Sequence, residues 1–271
     1  QQIRSLHTKK PTTSTHKIPP KAAEGGGSAK SLPISDPSRS LPQGTELHKL
    51  IGQALEYTRP GNHKLCVMEV GTADGKGTTV QLVKALRAHS AAHNNREWHV
   101  STYEGILKLF QSARWEWQQL STVKVVNELV MSEQNLEMFV YPHIQGPDTD
   151  VWPGKHFYRK LYNGTSAQIA KGEMGAYVRS FPECVLDFVL IDSTRYAHLG
   201  IIKTIMERQG LTDSETVWLI ENDFWDGGGD ERQILDKGLS LEFIAGAHPR
   251  GEMWPWIYFR VSSPGQPKHG A

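Results

Sequence analysis

Four places in this 271-residue chain set chemically capable side chains at the end of a short apolar run. Glu69, Gly71 and Gly75 end the run that starts at Leu65, and Glu104 follows Trp98 to Tyr103. Asp192 follows Leu186 to Ile191, and Glu221-Asn222-Asp223 closes the run from Thr216. Such runs read as buried strands, and in open α/β sheets ligands sit outside the carboxyl ends of the strands. Glycines after a strand let the backbone approach a ligand, and the amides opening the next helix favour an anionic group. A glutamate ending the neighbouring strand is placed to accept hydrogen bonds from ribose hydroxyls. Asp192, Glu221 and Asn222 are hard oxygen donors of the kind that hold Mg²⁺ or Mn²⁺; the alternative is a set of helix caps and turn formers.

The elements that must position these residues follow from apolar periodicity. Leu47, Leu50, Ile51, Ala54 and Leu55 predict a helix ended by Pro60-Gly61-Asn62, and the strand at Leu65 to Val70 passes through the Gly-rich turn into a helix at Val80, Val83 and Leu86. Ile106, Phe110, Ala113, Trp117 and Leu120 give an amphipathic helix after the second strand. Val123 to Val126 is a third strand, and Leu136 to Tyr141 is a candidate for another. Residues 142–165, rich in Pro, Gly and aromatics, read as an irregular lid or insertion. Ile169, Tyr177 and Phe181 suggest a helix, Leu199 to Met206 another, and Leu239 to Ala245 with Trp256 to Val261 an antiparallel hairpin. The order predicts an α/β fold: a doubly wound, mostly parallel Rossmann-like sheet with an antiparallel C-terminal edge hairpin.

Composition narrows the function. The formal net charge is only +1, so no global field argues for nucleic acid as partner. No apolar run approaches the roughly 20 residues of a membrane span. Residues 1–43 hold seven Lys and Arg against two Asp and Glu, a net of +5, amid Ser, Thr, Pro and Gly. They are expected to be a disordered leader or stem, with the folded domain over 44–262 and a flexible tail over 263–271. Because the chain begins at Gln1, an upstream transit peptide, a signal anchor or an arbitrary starting point are all open. A stem would put the enzyme in the secretory lumen or Golgi; otherwise the cytoplasm or an organelle is expected. Only within that pathway does Asn163-Gly164-Thr165 become a glycosylation acceptor. The two cysteines, Cys66 and Cys184, are offset by three residues on strands expected to be neighbours. That is about 10 Å, beyond disulfide reach, so both are expected to be free thiols.

Taken together, Val67-Met68-Glu69-Val70-Gly71-Thr72-Ala73-Asp74-Gly75 resembles the first motif of class I S-adenosylmethionine-dependent methyltransferases. Ile191-Asp192-Ser193-Thr194 and Leu219-Ile220-Glu221-Asn222-Asp223 resemble later strand ends of that fold. The nearest flavour is the metal-dependent O-methyltransferases of the catechol type and the macrolide-sugar and cephalosporin-hydroxylase-like group, over about residues 45–262. The resemblance implies that Glu69, Gly71, Thr72 and Gly75 meet the methionine end of S-adenosylmethionine and that Glu104 meets its ribose. It also implies a divalent metal on Asp192, Glu221 and Asn222, with Asp223 able to replace either neighbour. The acceptor would be a hydroxyl of a small molecule or glycan, with a lean toward sugar. Where the family often places a Lys or His, this chain has Arg195, which stays protonated and cannot be a base. His198, one helical turn later, is then the candidate base, or else a packing histidine. Arg195 could instead neutralise the carboxylates in place of a metal. A non-catalytic cofactor-binding scaffold and a metal-dependent hydroxylase-like enzyme are the alternative readings. Trp152, His156, Phe157, Tyr158, Trp225, Trp254 and Trp256 are expected to wall the acceptor site or to form a satellite core.

Overall fold

The computed structural model describes residues 46–145, 155–193, 195–221, 240–247 and 256–262. In chain order the elements are α1 (Leu47–Leu55), β1 (Leu65–Val70), α2 (Thr78–Ala92), β2 (Trp98–Tyr103), α3 (Leu107–Trp117), β3 (Val123–Val126) and β4 (Glu128–Leu129). Then come α4 (Glu133–Asn135), a π-helical turn (Leu136–Val140), α5 (Tyr141–Ile144), α6 (Lys155–Tyr162), α7 (Thr165–Ala170) and β5 (Ala176–Tyr177). The last are β6 (Phe188–Ile191), α8 (His198–Met206), β7 (Val217–Glu221), β8 (Ser240–Ala247) and β9 (Trp256–Ser262).

Seven strands form one sheet in the order β3-β2-β1-β6-β7-β9-β8. β1 lies parallel to β2 and β6, β2 to β3 and β6 to β7, whereas β9 runs antiparallel to both β7 and β8. This is the doubly wound sheet with an antiparallel edge hairpin, and strand order reverses between β1 and β6, the point at which such sheets open a crevice. Alternate residues of the central strands feed two cores. Leu65, Val67, Phe188, Leu190, Val217 and Leu219 pack with the apolar faces of α1 and α2. Met68, Val70, Val189, Ile191, Trp218 and Ile220 pack with α8 and the helical stretch near Leu136. Trp256 belongs to the α1/α2 core at 1% exposure, so it is no part of an acceptor wall.

Several expectations fail locally. Leu136 to Tyr141 is helical, not a strand: Ser132 accepts a hydrogen bond from the Asn135 amide as an N-cap, and Leu136, Phe139 and Val140 bury one face at helical spacing. The supposed helix through Ile169, Tyr177 and Phe181 stops at Ala170, where Gly172 takes φ +72°, and Ala176–Tyr177 pairs with Glu128–Leu129 as a small parallel sheet. Residues 142–165 are not wholly irregular, since they contain the end of α5 and all of α6, which Arg159 Nε ties together by donating to the Ile144 carbonyl at 2.8 Å. The leader 1–43, the tail 263–271, Trp152, Trp225 and Trp254 lie outside the described residues, as do the side chains of His156, Phe157 and Tyr158.

The cysteines correct the largest error. Cys66 and Cys184 are disulfide-bonded, with Cα atoms 6.2 Å apart, and neither is a free thiol. The three-residue offset was counted along an extended strand, but β6 begins only at Phe188, and the chain bends at Glu183 and Cys184, doubling back over Cys66. Nearby, buried Asp187 accepts from the Cys66 amide at 2.9 Å and faces Arg59 and His63, so the first carboxylate of that apolar run serves an ion network at the amino ends of the strands.

Candidate functional site

At the carboxyl ends of β1, β2 and β6 a cavity of about 190 Å³ opens, lined among others by Val70, Gly71, Ala73, Glu104, Met131 and Asp192. The β1–α2 turn that borders it is largely self-satisfied. The Gly71 and Thr72 amides donate to the Tyr103 carbonyl, the Gly75 amide to Thr72, and the Ala73 amide to Glu104 Oε2 at 2.8 Å. The glycines are required by close packing within the protein. A Cβ on Gly71, at φ +98°, would collide with the Asp192 carbonyl oxygen, and one on Gly75, at φ +78°, would lie 2.7 Å from Trp117 Nε1. Trp117 in turn donates to the Gly75 carbonyl at 2.9 Å, fastening the turn to α3.

Glu104 is the turn's second anchor. Its Oε1 accepts from the Ile106 amide at 2.8 Å while Oε2 holds Ala73, which leaves lone pairs on both oxygens for hydroxyl donors at the cavity edge. Burial pushes its carboxyl upward, opposed by backbone amides of Ile106, Ala73 and Gly105. Asn127, just past the end of β3, donates to the Glu104 carbonyl at 2.9 Å and fixes the backbone there. The sequence reading missed Asn127, although its place directly after the Val123–Val126 run was a usable signal.

Glu69 sits beneath the turn rather than in the cavity. Strand alternation gives it to the same face as Leu65 and Val67, under α2, where it is fully buried and accepts from Thr79 Oγ1 at 2.9 Å and Thr102 Oγ1 at 2.5 Å. Thr72 extends this hydroxyl chain through a hydrogen bond with Thr102. Desolvation raises the Glu69 carboxyl to about 8, against the two threonine donors and reinforced by Asp192 and Glu104. Its Oε1 is buried with no hydrogen-bond partner.

Asp192 borders the cavity and accepts from Thr78 Oγ1 in the first turn of α2, so the anion meeting that helix terminus is the protein's own carboxylate. The parallel register of Ile191 with Ile220 sets Asp192 level with Glu221 on the adjacent strand. The Glu221 side chain and all of Asn222 and Asp223 lie outside the described residues. His198, by contrast, is 1% exposed and does not line the cavity; one ring nitrogen, Nε2, bonds the Ser193 carbonyl at 3.0 Å. Burial lowers its pKa to about 4 despite that bond, so the ring is neutral and donates through Nε2. The structure thus brings together Gly71, Glu104 and Asp192 around the cavity, puts Glu69 and Thr72 under it, and holds His198 behind Ser193.

A larger cavity, about 520 Å³, opens at the other end of β1 to β3 between Lys64, His99, Lys124 and the disulfide, and it contains none of the strand-end carboxylates.

No protein-family model matches the chain, and no curated protein matches it. Solved structures similar to it include the 23S rRNA methyltransferase ErmE, 13% identical over 82% of this chain and 70% of that one, with a TM-score of 0.42. The trans-methyltransferase CalH, in complex with SAH, is 13% identical over 80% of this chain and 56% of its own, at 0.46. An rRNA methylase from Streptococcus thermophilus is 8% identical over 83% and 99%, at 0.41. The fold itself is established by the strand order and register given above.

Proposed function

We propose that the chain is an S-adenosylmethionine-dependent O-methyltransferase acting on a hydroxyl of a small molecule or glycan, with a sugar favoured. The observation that carries this reading is the pairing of Glu104 with the Ala73 amide at 2.8 Å beside the Gly71 turn, on the cavity where strand order reverses. The donor set fits such a cofactor: Glu104 retains acceptor capacity for two ribose hydroxyls, and the Oε1 of Glu69 beneath the turn is a buried polar atom without a partner. A nucleoside-bearing ligand exceeds about 190 Å³, since pockets for such ligands are roughly 300–1,000 Å³, and would extend across the open side of the cavity.

When bound, the cofactor would supply an electrophilic methyl group. The protein's part is to hold the acceptor in line and to dispose of its proton. The register of β6 and β7 sets Asp192 level with Glu221, and a divalent metal held by Asp192, Glu221 and Asn222 would supply a lowered hydroxyl pKa, making a strong base unnecessary. His198 then acts as a positioning residue that holds the Ser193 backbone at the cavity. The Cys66–Cys184 bond favours an oxidising compartment, which agrees with the stem reading of residues 1–43. A second reading, a non-catalytic cofactor-binding scaffold, is favoured by the placement of His198 away from the cavity.

Calorimetric titration with S-adenosylhomocysteine tests the first step: saturable binding is expected, weakened about tenfold in Glu104→Gln. Absence of heat with folded protein overturns the proposal. Labelled cofactor with a panel of sugars, catechols and other alcohols, with and without chelator, then separates the readings. Label in an ether product that fades with chelator supports metal-assisted O-methylation, and binding without turnover across the panel supports the scaffold.

A further inference from the structure

At the far end of α2 from the cavity, three potential ligands converge. His89 lies in the last turn of the helix, His93 is its C-cap residue, and Glu56 reaches both from the C-cap of α1. Glu56 Oε1 lies 3.0 Å from His89 Nδ1, and Glu56 Oε2 lies 3.4 Å from His93 Nε2. The two rings stack with centroids 4.0 Å apart. From these distances we propose that Glu56, His89 and His93 form a divalent transition-metal site, zinc being the reference ion, that clamps α1 to α2.

The chemistry of each ligand supports the assignment. His93 donates its Nδ1 hydrogen to the His89 carbonyl at 2.9 Å, which leaves the lone pair on Nε2, facing Glu56. A backbone acceptor on the distal nitrogen is the usual way a metal-ligating imidazole is oriented. A lone pair and a carboxylate oxygen at 3.4 Å are both acceptors, so a proton or a cation belongs between them. Stacked imidazoles at this distance repel if both are charged, so two protons on the pair are disfavoured. A metal would take the lone pairs of His93 Nε2 and His89 Nδ1, while the buried Nε2 of His89 has no partner. Ligands at ~2.1 Å around a tetrahedral ion lie about 3.4 Å apart, close to the 3.0 and 3.4 Å contacts Glu56 makes. Two imidazoles and one carboxylate suit zinc or its neighbours rather than Mg²⁺, which distinguishes this place from the all-oxygen set at Asp192. Glu56 is exposed and His93 only half-buried, so solvent can complete the coordination. The site also lies at two helix C-termini, whose dipoles favour a cation.

Zn²⁺ titrated into the full chain against a colorimetric chelator tests this. One tight site per chain is expected, with a raised melting temperature, and both are expected to weaken at least about tenfold in His93→Ala and in Glu56→Gln. Because both side chains are partly exposed, circular dichroism can confirm that the variants remain folded. His48→Ala, changing a histidine outside the cluster, should bind as wild type does. Absence of Zn²⁺ binding by the wild type, or unchanged affinity in either ligand variant, overturns the proposal. The readout is the ion itself, so the result is independent of methyl transfer.

Discussion

Gly71 and Asp192 interlock: a Cβ on the glycine would lie 1.7 Å from the aspartate's carbonyl oxygen. The turn after β1 is therefore packed directly against the acidic end of β6. With φ at +98° as well, Gly71→Ala should lose about 3 kcal/mol or more in chemical denaturation, from overpacking and left-handed strain together. A loss below about 1 kcal/mol would mean that the turn can swing clear of Asp192.

Glu69 makes stability depend on alkali. Its folded pKa of about 8 is raised above the ordinary 4.5, so its protonated form favours the fold. That contribution is complete below the unfolded value and is lost as pH rises through the folded one. Glu69→Gln should match wild type near about pH 4 and exceed it above about pH 8 by roughly 5 kcal/mol, some 10–20 °C in melting temperature. Parallel pH profiles for the two proteins would show that Glu69 is ionised in the fold.

His198 has the opposite sign. Its folded pKa of about 4 lies below the ordinary 6.5, so its contribution is present above the unfolded value and is lost as pH falls through the folded one. His198→Gln should flatten the loss of stability between those limits. In a methyl-transfer assay the same variant should keep its rate within about tenfold with an unshifted pH profile. A fall of about 10²-fold or more that removes the acidic limb would restore His198 as the general base.

The disulfide spans a sequence separation of 118 residues, a closure worth about 4–5 kcal/mol in the chain-entropy account. Reduction, or Cys184→Ser, should lower the melting temperature by roughly 10 °C. An unchanged transition in reductant would show that the two sulfurs are not bonded in solution.

Strand existence was legible because Leu65 to Val70, Phe188 to Ile191 and Val217 to Ile220 are buried on both faces and read as unbroken apolar runs. Strand ends, and with them Glu104 and Asp192, came with those runs. What escaped depended on direction rather than identity. Glu69 is one residue out of phase with the cavity-lining Val70, so a motif reading that ignores the two-residue alternation places it on the wrong side of the turn. Cys184 lies in a bend before its strand, and no count along extended chain could find its partner. Leu136 to Tyr141 is too short for periodicity to choose between helix and strand, and the Ser132 cap was the cue that decided it.

The position of β9 has a consequence for synthesis. β7 precedes β8 in the chain, yet its free edge is covered by β9, whose residues 256–262 emerge from the ribosome last of the three. Until then Val217–Glu221 presents an open, apolar edge with Trp218 and Leu219 on its two faces, a template for pairing with another nascent chain. The half of the sheet that carries Glu221 cannot close during elongation, so a chain interrupted before Trp256 would be prone to aggregation while its β3-β2-β1-β6 half was already able to pair.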